Sequence, residues 1–296
     1  MKIKQLTKIA TDKSKFKKLP DFIDFAEKYL EHITTKLQAV IVSQNENHYQ
    51  FYQYGSDGGY QITRPINSRL IYTINDFLIA KKTFGGFLKD AKHVTSKNDR
   101  QAINRFVYTL QMSIGSALDA LPAGKSNTAR KINGDLFEHL IRLIIREIGI
   151  ECESGVVQIP VMLRGKEQFR MSYQHDLIVK TNGEIKLIGS IKTSSKDRID
   201  KIFIDKFLYS KLTDTDTPHV AVFLNDVQRK NTSKKNKYGI NATFLPGHFR
   251  GYTVKLNPLN GVYYCDIRPN MLTEDILKDH IRTFDHLLCE DIWKFL

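Results

Sequence analysis

The sequence predicts an α/β protein, with a central mixed β-sheet flanked by helices and an additional α+β region at the N-terminal end. Three observations carry this expectation. The runs HDLIVK (175–180) and IKLIGSIK (185–192) are strand-like and joined across Asn182-Gly183, the strongest short-range hairpin signal. An apolar run from Ile199 to Leu212 reads as a helix. After it, HVAVFLN (219–225) is apolar without alternation, as in a central strand buried on both faces.

The remaining elements follow in order. Leu19 to Leu37 is predicted helical because Phe22, Ala26, Tyr29, Leu30 and Ile33 recur at helical spacing after a Pro-Asp start. Ala39–Ser43, Tyr49–Tyr54 and Gly59–Thr63 are strand-like, with a turn over Gly55–Gly59. Tyr49, Phe51, Tyr52, Tyr54 and Tyr60 fit a half-buried sheet face better than a base-stacking platform. Leu70–Ile79 suits a strand or a short helix, and Arg100–Leu121 a long helix. LPAGKSNTARKINGD (121–135) reads as a polar loop ending in a helix cap near Asn133, with Lys125, Arg130 and Lys131 available for phosphates. Its Gly124-Lys125-Ser126 is no phosphate-binding loop, because Asp119 stands where the first glycine belongs and no apolar strand leads in. Leu136, Phe137, Leu140, Ile141, Ile144, Ile145 and Ile148 then form a broad helical stripe, with Glu138 at its border and Gly149 ending it. Val156–Leu163 and Arg170–Tyr173 read as strands, Arg229–Asn241 as a basic polar loop, Tyr252–Leu256 and Tyr263–Ile267 as late strands. A C-terminal helix is expected from Glu274 to about Cys289. A boundary near 120 separates an N-terminal α+β region (1–120), DNA-contacting or dimerising, from the core (121–296).

Composition narrows the function. With 296 residues, 41% of them hydrophobic, the chain can bury a sizeable core. No run approaches eighteen apolar residues and the basic N-terminus lacks the apolar segment of a signal peptide, so a cytoplasmic protein without a membrane span is expected. Cys152, Cys265 and Cys289 are odd in number and lack ligand spacing, which suits buried reduced thiols. The net charge of +13 implies a polyanionic partner, since neutralising phosphates supplies most sequence-independent DNA affinity.

The hairpin also carries candidate chemistry. Ser190 and Lys192 share one face of the second strand, and Asp176, near the start of the first, can approach them across the hairpin. A carboxylate beside a strand-borne lysine suits phosphodiester hydrolysis: the carboxylate holds a hard divalent cation, and the lysine orients and polarises water. Thirteen residues beyond Lys192, the following helix presents Asp205. A buried lone carboxylate is costly unless paired or metal-bound, which makes Asp205 a candidate for the further acid. Glu138, at the edge of a core helix, can reach such a site. His175 reads as a structural neighbour.

These residues resemble the Ser-x-Lys branch of the PD-(D/E)xK type II restriction endonucleases. In that branch a serine precedes the strand lysine, an acid on the next helix replaces the lost ligand, and a glutamate on an earlier helix completes the metal site. The resemblance covers about Asn133 to Leu224. It implies a restriction-endonuclease-like fold, with Asp176, Lys192, Asp205, Glu138 and Ser190 in the catalytic site. Asp176, Asp205 and Glu138 would hold Mg2+. It further implies that Lys196-Asp197-Arg198, which matches the branch's charged motif with Lys for its first Arg and Asp for Glu, reads base edges in the major groove. Aspartate accepts from cytosine and arginine donates to guanine. Pro does not precede Asp176, and Asp205 is shorter than the branch's glutamate.

The expected function is therefore Mg2+-dependent cleavage of double-stranded DNA at a palindromic C/G-containing site by a homodimer, with no nucleotide cofactor and no membrane partner. The alternatives are a structure-selective repair or recombination nuclease of the same fold, or a DNA-binding protein without catalysis.

Overall fold

The computed structural model describes residues 1–56, 59–196, 198–230 and 238–296. The N-terminal region opens with α1 (Ile3–Thr11), which the periodicity reading missed, and α2 (Leu19–Lys36), which it anticipated. Strands β1 (Ala39–Val42), β2 (Tyr49–Ser56), β3 (Gly59–Ile62) and β4 (Ile66–Asn67) make an antiparallel sheet centred on β2. Tyr49, Phe51, Tyr52 and Tyr54 are buried at 5% exposure or less, so the aromatic hairpin is core rather than a stacking platform. The ambiguous Leu70–Ile79 segment resolves as the start of helix α3 (Ile74–Lys89), capped by Thr73, whose Oγ1 accepts from the Asp76 amide. Helix α4 (Lys97–Leu118) is buried at nearly every residue from Ile103 onward.

Helix α5 (Ser126–Glu147) begins earlier than the sequence suggested, so the expected cap at Asn133 is corrected. Asn133 sits inside the helix, where Gln111 Nε2 donates to its side-chain oxygen at 2.9 Å. A polar residue satisfied by a neighbouring helix has no need to end its own.

The second half builds a six-stranded mixed sheet from β5 (Cys152–Leu163), β6 (Lys166–Thr181), β7 (Glu184–Ser194), β8 (His219–Asn225), β11 (Gly261–Tyr264) and β12 (Ile281–Thr283). Its order is β12-β11-β8-β7-β6-β5. The first three strands in sequence pair antiparallel, and β7, β8, β11 and β12 run parallel. Asn182 and Gly183 both take positive φ, 52° and 83°, as a two-residue hairpin turn of the primed type demands. Helix α6 (Ile199–Thr213) carries the chain from β7 back to β8, the parallel partner that such a crossover requires. Strand β8 is buried at every residue, as predicted.

One face of this sheet, with Leu177, Val179, Leu187, Ile191, Val220 and Val222, joins α1 to α5 in a core that runs across residue 120. The other face, with Ala221, Phe223, Val262 and Tyr264, packs on Ile199, Ile202 and Phe203 of α6 and Phe249 of helix α7 (Pro246–Lys255). The result is a central mixed sheet between helices, as the sequence predicts.

Other expectations are corrected. Tyr252–Leu256 lies at the end of α7 instead of in a strand, because Pro246 starts a helix there. Arg170–Tyr173 is part of the single long strand β6. The C-terminal helix is interrupted: Ile281–Thr283 leaves it to pair with β11, and helical turns resume from Phe284. Two short antiparallel strands, β9 (Val227–Arg229) and β10 (Ile240–Ala242), take up the ends of the segment expected as a basic polar loop, whose residues 231–237 lie outside the described residues.

Candidate active site

The site forms where β6 and β7 part. They pair from the hairpin turn back to Leu177↔Gly189, after which β6 continues with β5 and β7 with β8. At the same point β6 carries an extra residue. Between the pairs Glu153↔Ile178 and Gly155↔His175, β5 advances by two residues and β6 by three. Such a bulge bends the strand and re-aims side chains. Its effect is visible in the neighbours: the His175 ring meets Tyr209 of α6, while Leu177, two residues on, joins the opposite core under α5. Asp176 lies between them.

Its carboxylate enters the opening between the strands. Asp176 Oδ2 accepts from the Ile191 amide at 2.8 Å and from Lys192 Nζ at 2.5 Å. Lys192 Nζ also donates to Glu138 Oε1 at 3.0 Å, across from α5. Glu138 is reached because it flanks the apolar stripe that docks α5 on the sheet, with Leu136, Phe137, Leu140 and Ile141 buried beside it. One turn further along α5, Arg142 Nη1 donates to the Asp176 carbonyl at 2.7 Å and pins the bulge. The sequence reading missed Arg142; its position four residues after Glu138, on the same helix face, is the signal that marks it.

The trio is half-sheltered, with side-chain exposures of 14% for Asp176, 24% for Glu138 and 31% for Lys192. Burial, and then the Asp176 charge, raise the Glu138 carboxyl above its ordinary range despite Lys192 and Arg142. Burial alone would pull the Lys192 ammonium down; Asp176 first and Glu138 next outweigh it and hold the group above its ordinary value. Lys192 donates here to both carboxylates. Two of its three protons are spoken for, which leaves one for a further acceptor.

The other predicted residues are placed as follows. Ser190 is half-buried on β7 opposite Ala221 of β8. Asp205 does not join the trio: its side chain is 30% exposed and pairs with Lys201, one turn earlier on α6, at 2.5 Å. The expectation of a buried, unpaired carboxylate on α6 is thus not met. His175 is buried against Tyr173, Tyr209 and His219, as befits a structural neighbour. Lys196 is exposed and donates to Gln228 Oε1 of β9 at 3.2 Å. Arg198 is exposed at the start of α6, and Asp197 lies outside the described residues. Among the described residues no group of three or more His, Cys, Asp or Glu is arranged to hold a metal. Asp176 and Glu138 fit a more open arrangement. Magnesium is commonly held by one or two carboxylates, with waters and phosphate oxygens filling its shell.

Fold and site together define a restriction-endonuclease-like α/β scaffold with an Asp–Lys–Glu cluster at the parting of two strands. No family model matches the chain, and no curated protein matches it. Among solved structures, the crystal structure of the Type IIP restriction endonuclease Kpn2I superposes with a TM-score of 0.70 at 18% identity, over 99% of this chain and 97% of that one.

Proposed function

We propose that this chain is a Mg2+-dependent type II restriction endonuclease. In this reading it cuts double-stranded DNA as a homodimer, at a palindromic site containing C·G pairs. The observation that carries the reading is the convergence of Asp176, Glu138 and Lys192 where β6 and β7 separate, on a fold that it shares with a type IIP enzyme. Asp176 and Glu138 would hold the cation, whose chemistry is to stabilise the charge that gathers on the phosphoryl group and the leaving oxygen. Lys192, kept protonated between them, would direct its remaining N–H at the attacking water or a phosphate oxygen and fix the line of attack. The Ile191 amide and Arg142 hold Asp176 in place from either side. Arg198 and Lys196, exposed between β7 and α6, would read guanine, and Asp197 cytosine.

Incubation of phage DNA with the protein and Mg2+ tests the reading. Discrete fragments with identical ends support it. A smear, or cutting confined to branched DNA, points to a structure-selective nuclease, and binding without cutting to a non-catalytic protein.

A further inference from the structure

We infer that the lysine-rich loop Lys13–Lys18 is a clamp for the DNA backbone, gripping phosphates next to the one that is cut; the choice of DNA as ligand rests on the nuclease reading above. The sequence KSKFKK places four lysines within six residues, far from the motifs that suggested catalysis. The structure brings this loop to the rim of the candidate site. An open cavity of about 540 Å³ is lined by Lys13 and Lys17 on one side and by Asp135, Glu138, His139 and Arg142 of α5 on the other.

Two of those α5 residues belong to the candidate site itself. Glu138 accepts from Lys192, and Arg142 donates to the Asp176 carbonyl. A polyanion bound over the Asp176–Lys192–Glu138 trio therefore continues directly into the lysine-walled space.

The loop is built to present these side chains. Phe16 is 1% exposed, with its ring 4.9 Å from Phe22 and 5.4 Å from Phe25, so the centre of the loop is anchored in the core. Asp21 accepts from the backbone amides of Lys17 and Lys18, both at 2.9 Å, and Asp12 accepts from the Ser14 amide at 3.1 Å. His139 lines the same cavity as Phe16 and Lys17, with its ring 6.1 Å from that of Phe22, and Lys13 reaches Asp135 at 2.9 Å. With the backbone fixed, Lys13, Lys15, Lys17 and Lys18 all stay exposed; Lys13 keeps 54% of its side chain in solvent even while paired. An ordinary solvated lysine run has no reason to be fixed at so many points, one of them Asp135 on the helix that carries Glu138. A phosphate clamp must hold its charges at a set distance from the scissile bond, and a loop whose backbone is fixed in this way can do so.

The test is the salt dependence of duplex binding, measured in EDTA on a 30-base-pair probe. Each phosphate contact contributes about −0.9 to the slope of log affinity against log salt. Each protomer of the homodimer loses two contacts, so Lys13→Ala/Lys17→Ala should flatten that slope by about 3.6, and the wild-type advantage shrinks by about 150-fold between 50 and 200 mM salt. Lys13→Arg/Lys17→Arg should keep the slope. Lys82→Ala/Lys89→Ala on α3, which removes equal charge away from the cavity, should change it less. An unchanged slope in the Lys13/Lys17 double variant, or an equal change in the α3 control, overturns the clamp. Because the probe is not cut in EDTA, the two readings fail separately. Discrete Mg2+-dependent fragments with an unaltered slope would leave the nuclease standing and remove the clamp. A flattened slope without any cleavage would do the reverse.

Discussion

Replacing Lys192 by Met should abolish cleavage and also change how the fold responds to pH. The ammonium lies 2.5 Å from Asp176 and 3.0 Å from Glu138. At an effective dielectric constant of about 20, each contact is worth about 6 kcal/mol of gross attraction, most of it offset by desolvation. Removing one member of a buried charge cluster typically costs about 3–5 kcal/mol. This cluster is partly open to solvent, so about 2–4 kcal/mol is the expected loss at pH 8. What remains is two facing carboxylates, and the Glu138 carboxyl, already raised by burial and by Asp176, loses the cation that restrains it. A carboxyl raised in the folded state contributes stability that is fully present below its unfolded value, about 4.3, and lost as pH rises through the folded value. Lys192→Met should therefore be close to wild type near pH 4.5 and most impaired at pH 8. Added Mg2+ should restore part of the loss if the freed carboxylates bind it. Urea denaturation in EDTA at both pH values, repeated with Mg2+, measures this, beside a cleavage assay. A stability loss independent of pH, or wild-type cutting, would refute the placement of Lys192 between the two acids.

The remaining predictions concern other residues. Asp176→Ala should abolish cleavage, and Glu138→Gln should lower it by about 100-fold or more, whereas Asp205→Ala, outside the trio, should cost less; single-turnover rates in which Asp205→Ala is the more damaging of the two would return the further ligand to α6. Arg198→Ala should lose discrimination at a C·G pair, about 1–3 kcal/mol, while keeping weak salt-sensitive affinity for any duplex, and an unchanged cleavage site in a selection from random sequence would remove it as a reader. Asp266 is 2% exposed, its oxygens accept from Tyr49 at 2.9 Å and Asn67 at 2.8 Å, and burial lifts its carboxyl to about 7. With an unfolded value near 3.9, its stabilising share is intact below pH 4 and fades as pH rises through 7, by about 4 kcal/mol in all, so Asp266→Asn should flatten the profile and exceed wild-type stability at pH 8 in urea titrations.

What could be read from the chain depended on whether the deciding chemistry was local. The Asn182-Gly183 turn, the unbroken apolar run of β8 and the helical spacing of α2 each carry their conformation in adjacent residues, and each formed as expected. The start of α5 was illegible because Asn133 is satisfied by Gln111 from another helix, and β12 because a three-residue strand exists only by pairing with β11. The same division runs through the site. Asp176 and Lys192 follow from strand alternation, and Glu138 from its place beside an apolar stripe. The apolar residues of its helix suggest a buried Asp205, yet a helix packed on one side leaves its outer face to water, and Lys201 meets Asp205 there. The bulge at Asp176 had no sequence mark at all. It appears only when β5 and β6 are laid side by side, two residues against three, and it puts the carboxylate into the opening where Glu138 can share Lys192 with it. With regular pairing through this point, His175 and Leu177 would share a face, Asp176 would point to the other, and the Asn182-Gly183 turn that identified the hairpin would still be present without the cluster. The motif thus supplies the functional groups, and one unpaired residue in the strand that precedes it decides which of the surrounding acids they meet.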